Sequence, residues 1–172
     1  MEFMKFKYIF LIVGLLVVAL VWYFLTTPQS ETIDIVLSGY MFSSSGASRT
    51  STVKIKGSYR TYIFKNEMDQ FIAGYDGGFW IDGYRLNLSN VGFFYDESNY
   101  SFTGNPEEEA IVQRGMKSLI VNYMVDGENA LVVAPATSKE DAINLLLGVP
   151  VKGESEDFKK VYDWVLQMED RS

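Results

Sequence analysis

The stretch Tyr8–Leu25, with the sequence YIFLIVGLLVVALVWYFL, contains no charged side chain. A helix rises about 1.5 Å per residue, so roughly 20 apolar residues are needed to cross a hydrocarbon core about 30 Å thick. A helix also satisfies its own backbone hydrogen bonds, as lipid requires. Tyr8, Trp22 and Tyr23 lie at the two ends, where aromatic rings prefer the headgroups. The stretch predicts a transmembrane helix over residues 8–25 that contacts the lipid bilayer. The alternative is a buried helix of a soluble core, but such helices are usually shorter and apolar on one face.

The charges that flank this helix predict its orientation. Lys5 and Lys7 precede it, whereas Glu31 and Asp34 are the first charges after it. Positive flanks remain in the cytoplasm, so residues 1–7 are expected there and the rest of the chain on the far side. The predicted localisation is the cell membrane, with a single pass and an extracytoplasmic C-terminal domain.

The next question is whether the helix is retained or removed. Its apolar run is longer than the roughly 7 to 15 residues of a signal-peptide core, and residues 25–29 offer no small-residue cleavage site. An uncleaved signal anchor is favoured, and cleavage stays open as the alternative. Residues 26–32 are predicted to form a short polar spacer, and residues 33–172 a single extracytoplasmic domain.

The composition limits what this domain can do. The whole chain has 22 acidic and 15 basic residues. Without Glu2, Lys5 and Lys7 the remainder has 21 and 13, a net charge of −8. Such a surface repels nucleic acid, so no nucleic-acid partner is expected. The chain has no cysteine, so no disulfide supports the domain. This usage fits the outer face of a Gram-positive membrane.

Alternating patterns predict an antiparallel sheet. Residues 33–37 and 52–59 alternate apolar and polar side chains, as half-buried strands do. Residues 43–51 have the composition of a loop, read mainly as a connector and alternatively as a binding loop. Asp82-Gly83 matches a two-residue hairpin turn, and Gly77-Gly78 a bulge or a close backbone approach. Two further hairpins are predicted, one with its loop at residues 96–99 and a more apolar one at the sheet centre, over residues 117–134.

Three short helices are predicted, one before the apolar hairpin and two after it. Residues 105–115 combine an Asn cap, Pro at the first helical position, three glutamates and a final Gly. Ser138 caps a second helix that ends at Gly148. Residues 155–168 space apolar side chains at helical intervals, as an amphipathic closing helix does. The predicted fold class is therefore α+β: a transmembrane helix, then an antiparallel sheet with short helices near the C-terminus.

Aromatic side chains are concentrated in the middle of the chain. Thirteen of the 44 residues from Tyr59 to Phe102 are aromatic. Exposed rings would form platforms for sugar faces, but strands also use aromatics as core, and core packing is the favoured interpretation. Trp80 and Tyr84 flank the hairpin tip and are the aromatics most expected at the surface. Together with Asp76 and Asp82 they are the candidate ligand-binding residues.

The sequence contains no recognisable catalytic chemistry. It has no histidine and no cysteine, so the commonest base, the thiol nucleophile and most zinc sites are missing. Asp76 and Asp82 form a conceivable glycosidase pair, although both are better explained as turn residues. The three glutamates at 107–109 are expected to start a helix and not to bind a metal. We therefore expect no catalytic residue, no metal and no cofactor, and a protein that is not an enzyme.

Three motifs in order carry a resemblance: GSYRTYIFK at residues 57–65, WIDGY at residues 80–84 and VAPATSKEDA at residues 133–142. In this pattern the chain resembles a group of small single-pass membrane-anchored proteins of Gram-positive bacteria. The motifs are structural turns, and they cover about half of the exported domain. The resemblance therefore implies topology and hairpin placement, and no activity.

The leading hypothesis for function is an acidic, non-enzymatic interaction or accessory domain at the outer face of the cytoplasmic membrane. Its partner would be a protein or the cell wall. Two alternatives remain open. One is a carboxylate-dependent hydrolase that acts on cell-wall or lipid-linked sugars. The other is a domain that senses a solute or an ion.

Overall fold

A computed structural model of the protein describes residues 2–63, 68–88, 90–93, 100–105, 108–125, 127–149 and 156–169. Its first element is the helix α1, Glu2–Thr26. Within it, Tyr8–Thr26 is long and apolar enough to cross a membrane, and none of this 19-residue segment is buried against the rest of the chain. The predicted apolar N-terminal helix is therefore confirmed as a helix. The side chains of the flanking Lys5 and Lys7 lie outside the described residues.

Ten strands and two further helices follow within the described ranges. In chain order they are β1 Gln29–Ser43, β2 Ser48–Thr61, β3 Asp69–Ile72, β4 Gly78–Ile81, β5 Tyr84–Leu86, β6 Asn90–Phe93, β7 Tyr100–Asn105, β8 Glu108–Gln113, β9 Leu119–Val125, β10 Glu128–Ala134, α2 Lys139–Leu147 and α3 Glu156–Glu169. A single turn of 3-10 helix, Arg114–Met116, joins β8 to β9. The α+β class with an antiparallel sheet and short C-terminal helices is confirmed.

The sheet is antiparallel throughout and curls on itself. Its strand order is β5-β4-β2-β1-β10-β9-β8-β7, and β3 pairs with both β2 and β6. The strand β7 at one end of this path meets the side branch, because the Ser101 hydroxyl of β7 donates to the Gly92 carbonyl of β6 at 2.6 Å. The apolar hairpin β9–β10 lies in the middle of the sheet, as the sequence predicts.

The curled sheet has two apolar layers. The face inside the curl forms the inner core, which includes Phe71, Phe79 and Phe93. The opposite face of the central strands packs against α2 and α3 and forms the helix-covered core, which includes Phe42, Leu146 and Val165. Because both faces of β9 and β10 are covered, these strands read as nearly continuous apolar runs. The core interpretation of the aromatic segment holds for its fully buried members.

The hairpin β1–β2 is the longest element of the sheet. Its register runs from Gln29 opposite Thr61 to Phe42 opposite Ser48. The strand pairing starts at Gln29, so only Thr27 and Pro28 separate it from α1, and most of the predicted spacer over residues 26–32 is strand. The predicted loop over residues 43–51 reduces to a tight turn, because β2 begins at Ser48 and the Ser43 amide donates to the Ala47 carbonyl at 2.9 Å.

The predicted helix over residues 105–115 is wrong. Asn105 ends β7 and residues 108–113 form β8, which pairs with β9 from Glu108 opposite Tyr123 to Val112 opposite Leu119. Local propensity favoured a helix, but pairing with a central strand and burial of the apolar run at residues 110–112 outweighed it. Pro106 and Glu107 lie outside the described residues. The hairpin loop predicted at residues 96–99 also lies outside the described residues. Of the strands that flank it, β6 pairs with β3 and β7 pairs with β8.

Candidate functional site

A polar cavity of about 570 Å³ lies where the edge of the sheet folds over its far strands. Three segments line it: residues 73–74 after β3, residues 84–88 of β5 and just beyond, and Glu108 of β8. Its volume falls within the range of about 300–1,000 Å³ that small-molecule sites occupy. It is therefore large enough to be a candidate binding site.

The hairpin turn between β4 and β5 positions the main wall of the cavity. Asp82 and Gly83 have φ angles of 50° and 87°, the left-handed pair that a type I′ turn requires. The turn predicted at Asp82-Gly83 is thereby confirmed. It returns the chain so that Leu86 is buried in the inner core while Tyr84 and Arg85 remain at the surface.

The preceding loop approaches the sheet closely. A Cβ atom at Gly77 would overlap the backbone carbonyl oxygens of Ala73 and Lys56. Only glycine fits at this point, so the predicted close approach at Gly77-Gly78 is confirmed. The contact holds the end of β3, and with it the wall at residues 73–74, against the sheet.

Glu108 forms the floor of the cavity. It is only 7% exposed, yet it carries a carboxylate. The Tyr84 hydroxyl donates to its Oε1 at 2.9 Å, and the backbone N–H of Asn87 donates to its Oε2. Buried carboxylates are tolerated when donors surround them, and these two bonds attach the β5 edge to β8 across the curl.

Tyr84 also packs on the central sheet. Its ring stacks on Tyr123, the residue opposite Glu108, with centroids 5.7 Å apart and planes at 26°. The Tyr123 hydroxyl points to the Met41 sulfur at 3.6 Å. Burial, and to a lesser degree the charge of Asp82, raises the pKa of Tyr123, so this phenol stays neutral around neutral pH.

Arg85 is held at the wall of the cavity by two contacts. Its guanidinium lies 5.7 Å from the ring centroid of Trp80, directly across the β4–β5 ladder. It also donates to the Gly77 carbonyl oxygen at 2.7 Å. A guanidinium has five N–H donors in a fixed fork, so an orientation set by one bond directs the others as well.

The structure separates the four residues that the sequence singled out. Tyr84 lines the cavity, and partly buried Trp80 supports Arg85. Asp82 lies outside the cavity: it accepts a hydrogen bond from the Thr52 amide at 2.8 Å and pairs with Arg49 at 2.7 Å.

Asp76 is exposed before β4, at the strand end opposite to Asp82. A four-residue strand is about 13 Å long, beyond the roughly 10 Å of a glycosidase pair, so the two carboxylates are not brought together.

Sequence reasoning missed Arg85, Asn87 and Glu108. Glu108 was concealed in a run of three glutamates that fits the start of a helix. The sequence does contain a signal for a strand here. Glu108, Ala110 and Val112 alternate along the chain, so in a strand their side chains lie on the same face. A carboxylate on the buried face of a strand needs hydrogen-bond donors close to it, so such a position indicates a polar site in the fold.

A second buried polar cluster joins β2 and β3 to the β8–β9 connection. The Arg114 Nε atom lies 3.5 Å from Asp69, which is 5% exposed. The Tyr59 hydroxyl donates to Asp69 at 3.3 Å and accepts from the Gly115 amide at 3.2 Å. Burial, followed by the Asp69 charge, raises the pKa of Tyr59 to about 12. This cluster lies among packed strands, and we assign it a structural role.

Within the described ranges, no three His, Cys, Asp or Glu residues group as metal ligands would. No protein-family model, curated protein or solved structure matches the chain. The features of the chain that bear on its function are therefore the apolar helix, the acidic domain and the cavity.

Proposed function

We propose that the chain is a single-pass membrane protein that holds a non-enzymatic accessory domain at the outer face of the cytoplasmic membrane. The observation that carries this proposal is the helix Tyr8–Thr26, which is apolar throughout and unburied by the rest of the chain. Removing that much apolar surface from water is favoured at about 25 cal/mol per Å², and a bilayer offers the environment to do so.

The junction after the helix supports an uncleaved anchor. The Thr26 and Thr27 hydroxyls donate back to the Trp22 and Tyr23 carbonyls at 2.8 and 2.7 Å, and the strand β1 begins at Gln29. Hydrogen-bonded helix and paired strand therefore leave almost no extended chain between them. A signal peptidase site needs small residues, and Leu25–Gln29 lacks that pattern.

An accessory role, one of binding and not of catalysis, is supported by the available side chains. With no histidine or cysteine, the chain lacks the commonest general base and a thiol nucleophile. The buried carboxylates Asp69 and Glu108 both accept hydrogen bonds from tyrosines of the sheet. The hydrolase alternative has no observation in its favour, whereas the cavity favours the alternative of solute sensing.

The membrane topology is tested on the full chain carrying a C-terminal epitope tag in bacterial cells. We expect the chain to remain in the membrane pellet after alkaline carbonate, and the tag to be removed by protease added to whole cells. Mass spectrometry of the pellet should recover peptides from residues 1–7. A chain released by carbonate, or a tag that intact cells protect, would overturn the proposal.

An inverted variant provides the matched control. Replacing Lys5 and Lys7 with Glu and placing lysines at Thr27 and Gln29 reverses the charge difference across the helix. We expect this variant to stay in the membrane while its tag becomes protected in whole cells. For the accessory role, crosslinking in intact cells should repeatedly recover a protein or wall fragment, and its consistent failure would count against that part of the proposal.

A further inference from the structure

We infer that the cavity between Tyr84, Arg85 and Glu108 binds a neutral sugar. The inference rests on the proposed binding role of the domain and not on how the chain is placed in the membrane. It names a ligand class and a site, and each can be tested on the purified chain.

The charges of the cavity favour a neutral ligand. Among the residues that the structure describes, Arg85 and Glu108 are the charged ones that line it, and their formal charges cancel. A small anion would meet the buried carboxylate, and a small cation would meet the guanidinium, so neither gains a net attraction at short range. At longer range the acidic domain repels anions further.

The hydrogen-bonding groups match a ligand whose groups both donate and accept. Arg85 offers donors whose direction is set by its bond to Gly77, and Glu108 is an acceptor. The Asn87 side chain is exposed and carries both an amide oxygen and an NH₂ group, while its backbone N–H is bonded to Glu108. Neighbouring sugar hydroxyls each donate and accept, so one sugar ring can engage all three kinds of group.

One exposed tyrosine lines the cavity, and a second directly follows one of its lining residues in the chain. Tyr84 stacks on Tyr123, yet it is still 48% exposed. Tyr75 follows Gly74 of the cavity wall and is 95% exposed, so it contributes nothing to the core. Exposed tyrosines combine an apolar face with a polar tip, a property used at binding surfaces and suited to the C–H face of a sugar ring. An amino acid would match the charges but would not need these rings.

The experiment is calorimetric titration of the full chain in lipid nanodiscs, which avoids detergents with sugar headgroups. The probes are glucose, galactose, N-acetylglucosamine and its β-1,4-linked dimer, each up to about 100 mM, a concentration that reveals millimolar affinity. Inorganic phosphate and glycine are the charged and zwitterionic comparisons. We expect saturable binding of at least one sugar, with a Kd that changes less than about twofold between 0.05 and 0.5 M salt because no net charge is bound.

Substitutions locate the binding. Arg85→Gln and Asn87→Ala each remove a cavity donor from an exposed side chain, and we expect each to weaken the sugar by at least about tenfold. Arg60→Gln, on β2 and away from the cavity wall, is the matched control and should stay within about twofold. Unchanged thermal unfolding of all three variants shows that the fold is intact.

Three results would overturn the inference. The first is saturation by phosphate or glycine with no response to any sugar, and the second is sugar binding that Arg85→Gln and Asn87→Ala leave unchanged. The third is the complete absence of binding by the four sugars. Because the titration does not depend on membrane orientation, its failure is distinguishable from a failure of the topology tests.

Discussion

The two apolar layers of the domain are closed in different ways. The helix-covered core is sealed by α2 and α3, which bring Leu146 and Val165 onto the sheet. In the described part of the chain no helix covers the inner core, and the sheet closes it by curling on itself. At that closure lie the two carboxylates that are buried among the described residues, Asp69 and Glu108, each bonded to a tyrosine. The apolar faces of two helices cover one layer, whereas at the other layer carboxylates with tyrosine donors join strands across the curl.

The test with the largest expected effect on stability truncates an aromatic side chain of the inner core. Phe79 is fully buried, and its ring lies 5.0 Å from that of Phe71. We expect Phe79→Ala to lower the free energy of unfolding by about 3–5 kcal/mol, because it combines lost apolar burial with a cavity. Urea denaturation of the full chain in nanodiscs, followed by near-UV circular dichroism, measures it. Val36→Ala, at an exposed position of β1, is the control and should change little. A loss below about 1 kcal/mol would show that the inner core is loosely packed.

The second test uses alkaline pH. The pKa of Tyr59 is about 12 in the folded chain, against about 10 when unfolded. Between these values the unfolded chain releases the proton that the folded chain retains, so stability is complete below pH 10 and decreases as the pH rises towards 12. The decrease attributable to Tyr59 is about 1.4 kcal/mol per pH unit, roughly 2–3 kcal/mol in all.

The matched variant for this measurement is Tyr59→Phe, which cannot ionise. This variant should be less stable than the parent at neutral pH, because Asp69 and the Gly115 amide lose their hydrogen bonds to the phenol. Its free energy of unfolding should, however, change less between pH 10 and 12. Parallel slopes for the two proteins would contradict the assignment of the alkaline loss to Tyr59.

The third test compares a buried with an exposed ion pair. Asp69→Asn keeps the shape but removes the charge that faces Arg114, and we expect a loss of about 1–3 kcal/mol. Asp34→Asn is the control, because its pair with Lys54 is solvent-exposed at 4.0 Å and worth about 0–1 kcal/mol. Both losses are read from the same urea titrations. Equal losses would mean that closing the sheet does not depend on the buried pair.

The same contrast explains what the sequence could predict. Features set by neighbours in the chain were predicted correctly, such as the turn at Asp82-Gly83 and the cap at Ser138. Features set by distant partners were not. The neighbours of Glu108 in the sequence are typical of the start of a helix. Its buried position in a strand is possible because Tyr84 and Asn87, more than 20 residues earlier, donate hydrogen bonds to its carboxylate. Arg85 has near neighbours as partners, but the cavity that it lines also needs Glu108, which only the curl of the sheet brings close.

The smallest test examines the helix-covered layer. Ser138 has extended φ and ψ angles, and its hydroxyl accepts from the Asp141 amide at 3.1 Å, which caps α2. Ser138→Ala removes an acceptor for one of the free amides of the first turn, so we expect a loss of about 1 kcal/mol, and Ser138→Gly a few tenths. When the two layers unfold together, the loss appears as a shifted midpoint with an unchanged denaturant slope, and this is the result we expect. A changed slope would mean that α2 separates from the sheet before the inner core unfolds, and that the two layers are distinct in stability as well as in construction.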